Sequence, residues 1–198
     1  MNTKYIDLID QTYYFPQEEF ALNENKTLNF HDIDLMDLVS KYGAPLKFTY
    51  LPKISENIQR AKKWFGNAIE KHKYQGNYNY CYCTKSSHFK HVLHEALKND
   101  IHIETSSAFD INIVENLKAE GKINNNTYVI CNGFKREQYI NNIARLINEG
   151  HKNCIPVIDN YEEIGLLSEQ IEGNYKVGIR IASEEEPKFE FYTSRLGI

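Results

Sequence analysis

The chain has 198 residues, of which 41% are hydrophobic and 25% charged, and its formal net charge is −4 at pH 7. This composition is typical of a folded soluble protein with a sizeable core, and it excludes a disordered chain. Mild acidity without a Lys/Arg cluster argues against nucleic acid or an anionic membrane as the main partner, and no apolar run is long enough to span a bilayer. Because the N-terminal residues resemble no secretion signal, we expect a cytoplasmic protein whose four cysteines are free thiols.

The N-terminal segment differs in kind from the rest of the chain. Residues 1–45 contain several aromatic residues, a break at Pro16 and a short helix-like run over Asp32–Tyr42, but no alternation of strands and helices. The run from Tyr42 to Tyr50 predicts a turn that leads into a short strand. We therefore assign residues 1–45 to a separate element and residues 46–198 to an α/β domain.

From about residue 50 onward, short apolar runs alternate with amphipathic stretches, which is the rhythm of repeated βα units. We predict five parallel strands, near residues 78–84, 101–105, 127–131, 154–158 and 176–182. Apolar residues at helical spacing predict helices between them. One stripe is Ile54, Ile58, Ala61, Phe65 and Ala68; another is Phe89, Val92, Leu93, Ala96 and Leu97; a third is Ile140, Ile143, Ala144 and Ile147.

Local signals mark the ends of these elements. Asn160 with Glu163 three residues later resembles a capping box at a helix start. Glycines stand where three helices should stop, and they supply the left-handed residue that ends a helix: Gly121, Gly150 and Gly173. Pro156 lies inside the fourth predicted strand, where it removes a ladder donor, so we expect a bulge or an irregular strand there.

A lysine follows the first strand of the βα array. Strand alternation puts Lys85 on the face of Cys81 and Cys83, and it puts Tyr80 and Tyr82 on the opposite face. In a barrel of parallel strands the face with small residues is the lumen, the tyrosines pack on helices, and the lysine reaches the C-terminal rim where chemistry occurs. Such a lysine can hold a carbonyl cofactor as a Schiff base. A solvated lysine after a strand is the alternative.

Five short motifs follow one another along the chain: Tyr42-Gly43-Ala44-Pro45-Leu46, Tyr82-Cys83-Thr84-Lys85, Ile103-Glu104-Thr105-Ser106-Ser107, Val177-Gly178-Ile179-Arg180-Ile181 and Thr193-Ser194-Arg195-Leu196-Gly197. In this order they resemble the motifs of the pyridoxal-phosphate-dependent decarboxylases of the alanine-racemase-like fold, which act on ornithine, diaminopimelate or arginine. Among these enzymes, the sequence is most similar to the arginine decarboxylases. The chain departs from the family at Ser86-Ser87, where an Ala/Cys-Asn pair is usual, so contacts made by that asparagine are not carried over.

The resemblance implies a (β/α)8 TIM-type barrel, with the N-terminal segment belonging to a second, β-rich domain. It implies pyridoxal 5′-phosphate as cofactor, with Lys85 as the catalytic residue and Lys85, Glu104 and Arg180 as the cofactor-binding residues. It also implies a small amino-acid substrate and a homodimer. Arg180 would face the cofactor from the fifth strand and serve as the cationic neighbour that keeps Lys85 partly deprotonated; structural ion pairing is the alternative for Arg180 and Glu104.

The number of strands limits this expectation. A complete eight-stranded barrel takes about 250 residues, and only five or six strands fit before Ile198. We therefore expect an incomplete barrel in this chain, which would be a fragment of a longer enzyme and inactive by itself.

Several functions stay open on the sequence. The resemblance favours decarboxylation of a basic amino acid, arginine to agmatine in polyamine and spermidine biosynthesis, over ornithine, diaminopimelate or carboxynorspermidine as substrates. An amino-acid racemase or a non-catalytic pyridoxal-phosphate-binding homologue is the alternative. His88, His91 and His94 share a three-residue spacing on a predicted helix, but we expect no metal because the second histidine of a zinc motif is missing. The acidic run Ser183–Pro187 is interpreted as a solvated loop, and Arg195 as a residue that supports its loop.

Overall fold

The computed structural model describes residues 19–182 and 197–198 of the chain. These residues fall into two units, which are separated in sequence between Thr49 and Tyr50. Pro16, the acidic run Ser183–Pro187 and Arg195 lie outside the described residues. Within the described ranges every helix is too short or too polar to cross a membrane.

The first unit contains a three-stranded antiparallel sheet and one helix. Its elements are β1 (Phe20–Leu22), β2 (Leu28–Phe30), β3 (Ile33–Asp34) and α1 (Leu35–Tyr42), with the strands in the order β1-β2-β3. The helix begins at Leu35 rather than at the predicted Asp32 because the preceding residues pair with β2 and Asp34 caps the helix, its Oδ1 accepting from the backbone N of Met36 at 2.8 Å. The strand predicted before Tyr50 is not formed.

The second unit is built from a long first helix followed by four βα units and a fifth strand. Its elements are α2 (Pro52–His72), β4 (Cys81–Cys83), α3 (Lys90–Leu97), β5 (His102–Thr105), α4 (Ala108–Ala119), β6 (Val129–Cys131), α5 (Glu137–Asn148), β7 (Cys154–Ile158), α6 (Glu162–Gln170) and β8 (Gly178–Ile179). The strands are all parallel and lie in chain order, β4-β5-β6-β7-β8. The five predicted parallel strands are confirmed, each at or within its predicted range.

The helices of this unit bury only one face of the sheet. Alternate strand residues are buried in a core with α4, α5 and α6: Ile103, Val129, Cys131, Cys154 and Ile158. The residues between them on the opposite face are only half-buried: Cys83, Glu104, Ile130, Ile155 and Val157. Helices on one face of a parallel sheet are the arrangement of an α/β barrel, in which the other face is the lumen, whereas a doubly wound sheet is covered on both faces.

The two tyrosines beside β4 lie on the helix-covered face. Tyr80 and Tyr82 pack against a cluster of buried residues formed by Ile58 of α2, Ala96 of α3 and Ile101. The prediction that these aromatic residues pack on helices while the cysteines face the other way is confirmed. The edge strand of the sheet is therefore oriented by large side chains on one side and small ones on the other.

Pro156 causes no bulge, which corrects the prediction. It pairs in register with Cys131 inside a regular strand. The carbonyl of Ile158 accepts from Arg180 N at 3.0 Å and therefore faces β8; because backbone groups alternate between the two neighbours, Pro156 also faces that side. The ladder with β8 begins only at Val157, so the missing N–H of Pro156 breaks no bond.

Two of the predicted apolar stripes include residues that are not buried. Phe89 is the N-cap of α3 rather than part of its buried face, and it is 61% exposed. In α2 only Ile58 is buried, and Phe65 is 51% exposed. The third stripe is buried along its whole length, because α5 lies in the middle of the helix layer between α4 and α6.

The predicted end signals are confirmed. The three glycines at helix ends all have positive φ: Gly121, Gly150 and Gly173. At the start of α6 the backbone N of Glu163 donates to Asn160 Oδ1 at 3.2 Å.

Gly197 lies close to the backbone of Arg180 and Ala182, and a substitution there tests this close approach. Its φ is +111°, and a Cβ there would lie 2.9 Å from Arg180 O and from Ala182 N, while Ile198 N donates to Arg180 O at 2.8 Å. Gly197→Ala should therefore lower the free energy of unfolding by about 1–3 kcal/mol, measured by urea titration. Gly66 in α2 has open space around its Cβ position, so the control Gly66→Ala should raise that free energy by about 0.5–1 kcal/mol. An unchanged stability of Gly197→Ala would contradict the close approach.

Candidate active site

Polar side chains follow or end every strand of the parallel sheet at its carboxyl edge. In strand order they are Lys85 after β4, Glu104 in β5, Asn132 after β6, Asp159 after β7 and Arg180 after β8. The carboxyl edge of a parallel α/β sheet is where such proteins build their sites, because strand ends and loops converge there. The three residues predicted from sequence thus lie at one edge of the sheet.

Lys85 lies in a tight turn that is fixed on both sides. The backbone N of Thr84 donates to Glu104 O at 3.0 Å, and the hydroxyl of Ser86 donates to Cys83 O at 2.7 Å. Thr84 is fully buried, whereas Lys85 is exposed. The turn therefore presents a solvent-accessible amine from a rigid backbone, next to the strand that carries Glu104.

Glu104 has a defined orientation. Its Oε1 accepts from Asn132 Nδ2 at 3.0 Å. The other end of that amide is also fixed, because Asn132 Oδ1 accepts from the backbone N of Gly133 at 2.9 Å. Asn132 is thereby fixed as a donor toward the carboxylate. The nearby Cys81 is not a reactive thiol, since burial and the negative charge of Glu104 raise its pKa above the ordinary cysteine value.

Arg180 and Lys85 both lie at the carboxyl edge but follow the two outermost strands, β8 and β4, with three strands between them. Among the described residues Arg180 forms an ion pair with Asp159, with 3.9 Å between Arg180 Nε and Asp159 Oδ1. The sequence predicted that Arg180 would be the cationic neighbour of Lys85. In the structure Arg180 pairs with the carboxylate of Asp159, and the strand next to that of Lys85 is β5, which carries Glu104.

A second lysine near this edge is buried and has a different environment. The side chain of Lys135 is 0% exposed and that of Glu163 is 1% exposed, and the two form an ion pair at 3.1 Å. The ammonium of Lys135 also donates to the carbonyls of Gly133, at 2.8 Å, and Val157. All of its donors are therefore engaged, so Lys135 is a structural cation rather than an accessible amine.

Sequence reasoning missed Asn132, Asp159 and the Lys135–Glu163 pair. Asn132 and Asp159 each follow directly after a buried strand residue, which is the same positional signal that pointed to Lys85. The pairing of Lys135 with Glu163 has no local signal, because 28 residues separate the two. Glu163 was interpreted only as a capping residue, and its carboxylate also accepts from the backbone N of Lys135 at 2.8 Å.

The histidine spacing does not form a metal site. His88 lies before α3 rather than on it, and His94 bonds Glu120 Oε2 at 2.7 Å. In residues 19–182 and 197–198, no group of three or more His, Cys, Asp or Glu side chains is placed to hold a metal ion.

Comparisons with known proteins identify relatives of this chain. No family model matches it. The biosynthetic arginine decarboxylase of Gloeobacter violaceus is 30% identical over 159 residues, which cover 75% of this chain and 23% of that protein. Those of Rhodopirellula baltica and Prochlorococcus marinus strain MIT 9215 are 26% identical over 144 residues and 27% identical over 184 residues. The chain is similar to part of the biosynthetic arginine decarboxylases.

The fold agrees with this similarity. The crystal structure of the biosynthetic arginine decarboxylase SpeA from Campylobacter jejuni matches 84% of this chain and 30% of its own chain, with a TM-score of 0.66 and 20% identity. The resemblance drawn from the motifs and the predicted barrel-type α/β fold are both confirmed. The chain spans about a quarter of the length of the curated relatives that it matches.

The Lys135–Glu163 pair can be tested by stability. Lys135→Met should lower the free energy of unfolding by about 3–5 kcal/mol, because it leaves the buried Glu163 carboxylate without its cation. Urea titration measures this change. The matched control Lys90→Met removes a 70% exposed lysine from its pair with Glu120 and should cost less than about 1 kcal/mol. Adding Glu163→Gln to Lys135→Met should recover part of the loss; equal losses at Lys90 and Lys135 would contradict the assigned role.

Proposed function

We propose that this chain carries the lysine-bearing part of a pyridoxal-phosphate-dependent active site that decarboxylates arginine to agmatine in polyamine biosynthesis. The supporting observation is that Lys85, Glu104 and Arg180, each within a motif of that family, lie at the same carboxyl edge of a parallel sheet. No helix among the described residues covers the open face of that sheet. The arginine decarboxylases among the relatives favour arginine as substrate.

The donor set fits the cofactor. An aldehyde-bearing, anionic aromatic cofactor needs an accessible amine for its aldehyde and cationic or hydrogen-bonding groups for its polar edge. Lys85 supplies the amine and Arg180 a partly exposed guanidinium. Their strands, β4 and β8, are the first and fifth of the array, and in an eight-stranded barrel the first and fifth strands face each other across the lumen.

When bound, pyridoxal phosphate supplies an electron sink for the electron pair that stays behind as carbon dioxide departs. The residues of this chain supply an amine and two charged groups around the cofactor. Lys85, exposed in the turn after β4, would hold the cofactor through its Nζ amine. Glu104, held by Asn132 at 3.0 Å, places a fixed negative charge beside the lysine turn. Arg180 places a positive charge on the far side of the lumen.

Other functions of the same fold differ from this proposal in substrate or in chemistry. Decarboxylation of ornithine, diaminopimelate or carboxynorspermidine would use the same lysine with a different side-chain pocket. A racemase or a non-catalytic pyridoxal-phosphate-binding protein would keep the cofactor and release no carbon dioxide. We also propose a homodimer, which rests on the family resemblance, and a cytoplasmic location, which rests on the composition and the four free cysteines.

Carbon dioxide release from carboxyl-labelled amino acids tests the function. The full reading frame that contains this chain, with added pyridoxal phosphate, should release carbon dioxide from arginine faster than from ornithine or diaminopimelate. Lys85→Ala should reduce the rate by at least about 1,000-fold, because the covalent attachment point is lost. The control Lys122→Ala, at an exposed lysine in the turn after α4, should leave the rate unchanged.

The same assay separates the alternatives. Preferential turnover of ornithine would reject the substrate and keep the enzyme class. Tight cofactor binding with no carbon dioxide from any of the three amino acids would favour a racemase or a non-catalytic homologue. Full activity of Lys85→Ala would reject the site itself.

A further inference from the structure

A buried carboxylate lies at the carboxyl end of β7 with no hydrogen bond to its oxygens. The side chain of Asp159 is 1% exposed, and among the described residues neither Oδ1 nor Oδ2 has a hydrogen-bond partner. Buried polar groups are hydrogen-bonded in the large majority of cases, so such a group calls for a specific reason. A buried carboxylate without a hydrogen bond lowers stability, and this one lies next to the proposed site.

The backbone of Asp159 is anchored by a buried hydrogen bond. Its backbone N donates to Glu163 Oε2 at 3.0 Å, and Glu163 is clamped by the buried ion pair with Lys135. The turn after β7 is therefore tied to α6 and to the loop after β6. The backbone position of Asp159 is therefore fixed through the buried pair of Lys135 and Glu163.

In residues 19–182 and 197–198, Asp159 forms an ion pair with Arg180. The pair is closest between Arg180 Nε and Asp159 Oδ1, at 3.9 Å, which is too long for a hydrogen bond. The backbones are in register beside each other, with Arg180 N donating to Ile158 O at 3.0 Å. The side chain of Arg180 is 37% exposed, so one edge of the guanidinium faces the buried carboxylate while the side chain extends to the open rim.

We propose that Asp159 is a positioning residue for Arg180. Its fixed negative charge holds the Nε edge of the guanidinium and leaves the two terminal amino groups, which lie farther from the carboxylate, for an anionic ligand at the rim. The identity of that ligand as pyridoxal phosphate rests on the proposed function. Arginine suits this role because its planar, always charged head can face a carboxylate on one edge and a ligand on the other.

This role predicts an unusual combination of effects. Asp159→Asn keeps the shape of the side chain and removes a buried charge that has no hydrogen bond, so the melting temperature of the cofactor-free protein should stay the same or rise. The affinity for pyridoxal phosphate should nevertheless fall by about tenfold, because Arg180 is no longer held in one orientation. A purely structural carboxylate would show the reverse: a lower melting temperature and an unchanged affinity.

A double-mutant cycle in the full reading frame tests the coupling. The dissociation constant of pyridoxal phosphate is measured by fluorescence for wild type, Asp159→Asn, Arg180→Gln and the double variant. In the Arg180→Gln background, Asp159→Asn should change the affinity by less than about twofold, because its effect acts through the arginine. The control Glu162→Gln, at an exposed carboxylate three residues away, should have no effect. Equal tenfold losses in both backgrounds would overturn the proposal.

A second measurement needs no cofactor. The Nε–H resonance of Arg180 in a ¹⁵N spectrum, assigned by its loss in Arg180→Gln, should shift and broaden in Asp159→Asn and stay unchanged in Glu162→Gln. An unchanged resonance in Asp159→Asn would overturn the positioning role. If wild type fails to bind pyridoxal phosphate, the proposed function fails, and this spectrum still decides whether Asp159 holds Arg180.

Discussion

The arrangement of the larger unit follows from packing all of its helices on one face of a parallel sheet. Side chains alternate along a strand, so each strand residue belongs either to the helix-covered core or to the open face. Ile103 and Val129 are fully buried on the first face, and Glu104 is half-buried on the second. Burying a polar side chain in the core would cost desolvation free energy, whereas a polar side chain on the open face keeps its contact with water. The carboxyl edge of that face is therefore where charged residues collect.

Two lysines near this edge show how environment sets the role of the same side chain. Lys135 is buried, paired with Glu163 and bonded to two backbone carbonyls, so it ties the loop after β6 to the start of α6. Lys85 is exposed in a turn whose backbone is fixed by its neighbours. The buried lysine stabilises the carboxyl edge, and the exposed one leaves its amine accessible to solvent.

Much of the fold could be predicted from the sequence because its signals are local. Apolar runs bounded by turns gave the five strands, and the stripe of α5 gave a helix that is buried along its length. The predictions were wrong where the local structure depends on neighbouring elements. Pro156 looked disruptive, yet the ladder on its side begins one residue later, and Phe89 fitted a helical stripe, yet the helix begins after it.

The candidate site was predictable only in part, for the same reason. Lys85, Glu104 and Arg180 lie within recognisable motifs, whereas the partners of Glu104 and Arg180 are 28 and 21 residues away in sequence and are brought together by strand order. Asn132 and Asp159 could have been named as polar residues after strands, but their contacts depend on register. The buried pair of Lys135 and Glu163 is a tertiary contact with no sequence period.

The central claim is that Lys85 is the lysine that binds the cofactor. Borohydride reduction of the full reading frame in the presence of pyridoxal phosphate, followed by peptide mapping, tests this claim most directly. The account predicts a single pyridoxyl group on the peptide that contains Lys85, and none on the peptide that contains Lys135. A modified Lys135, or a protein in which no lysine is modified, would contradict it.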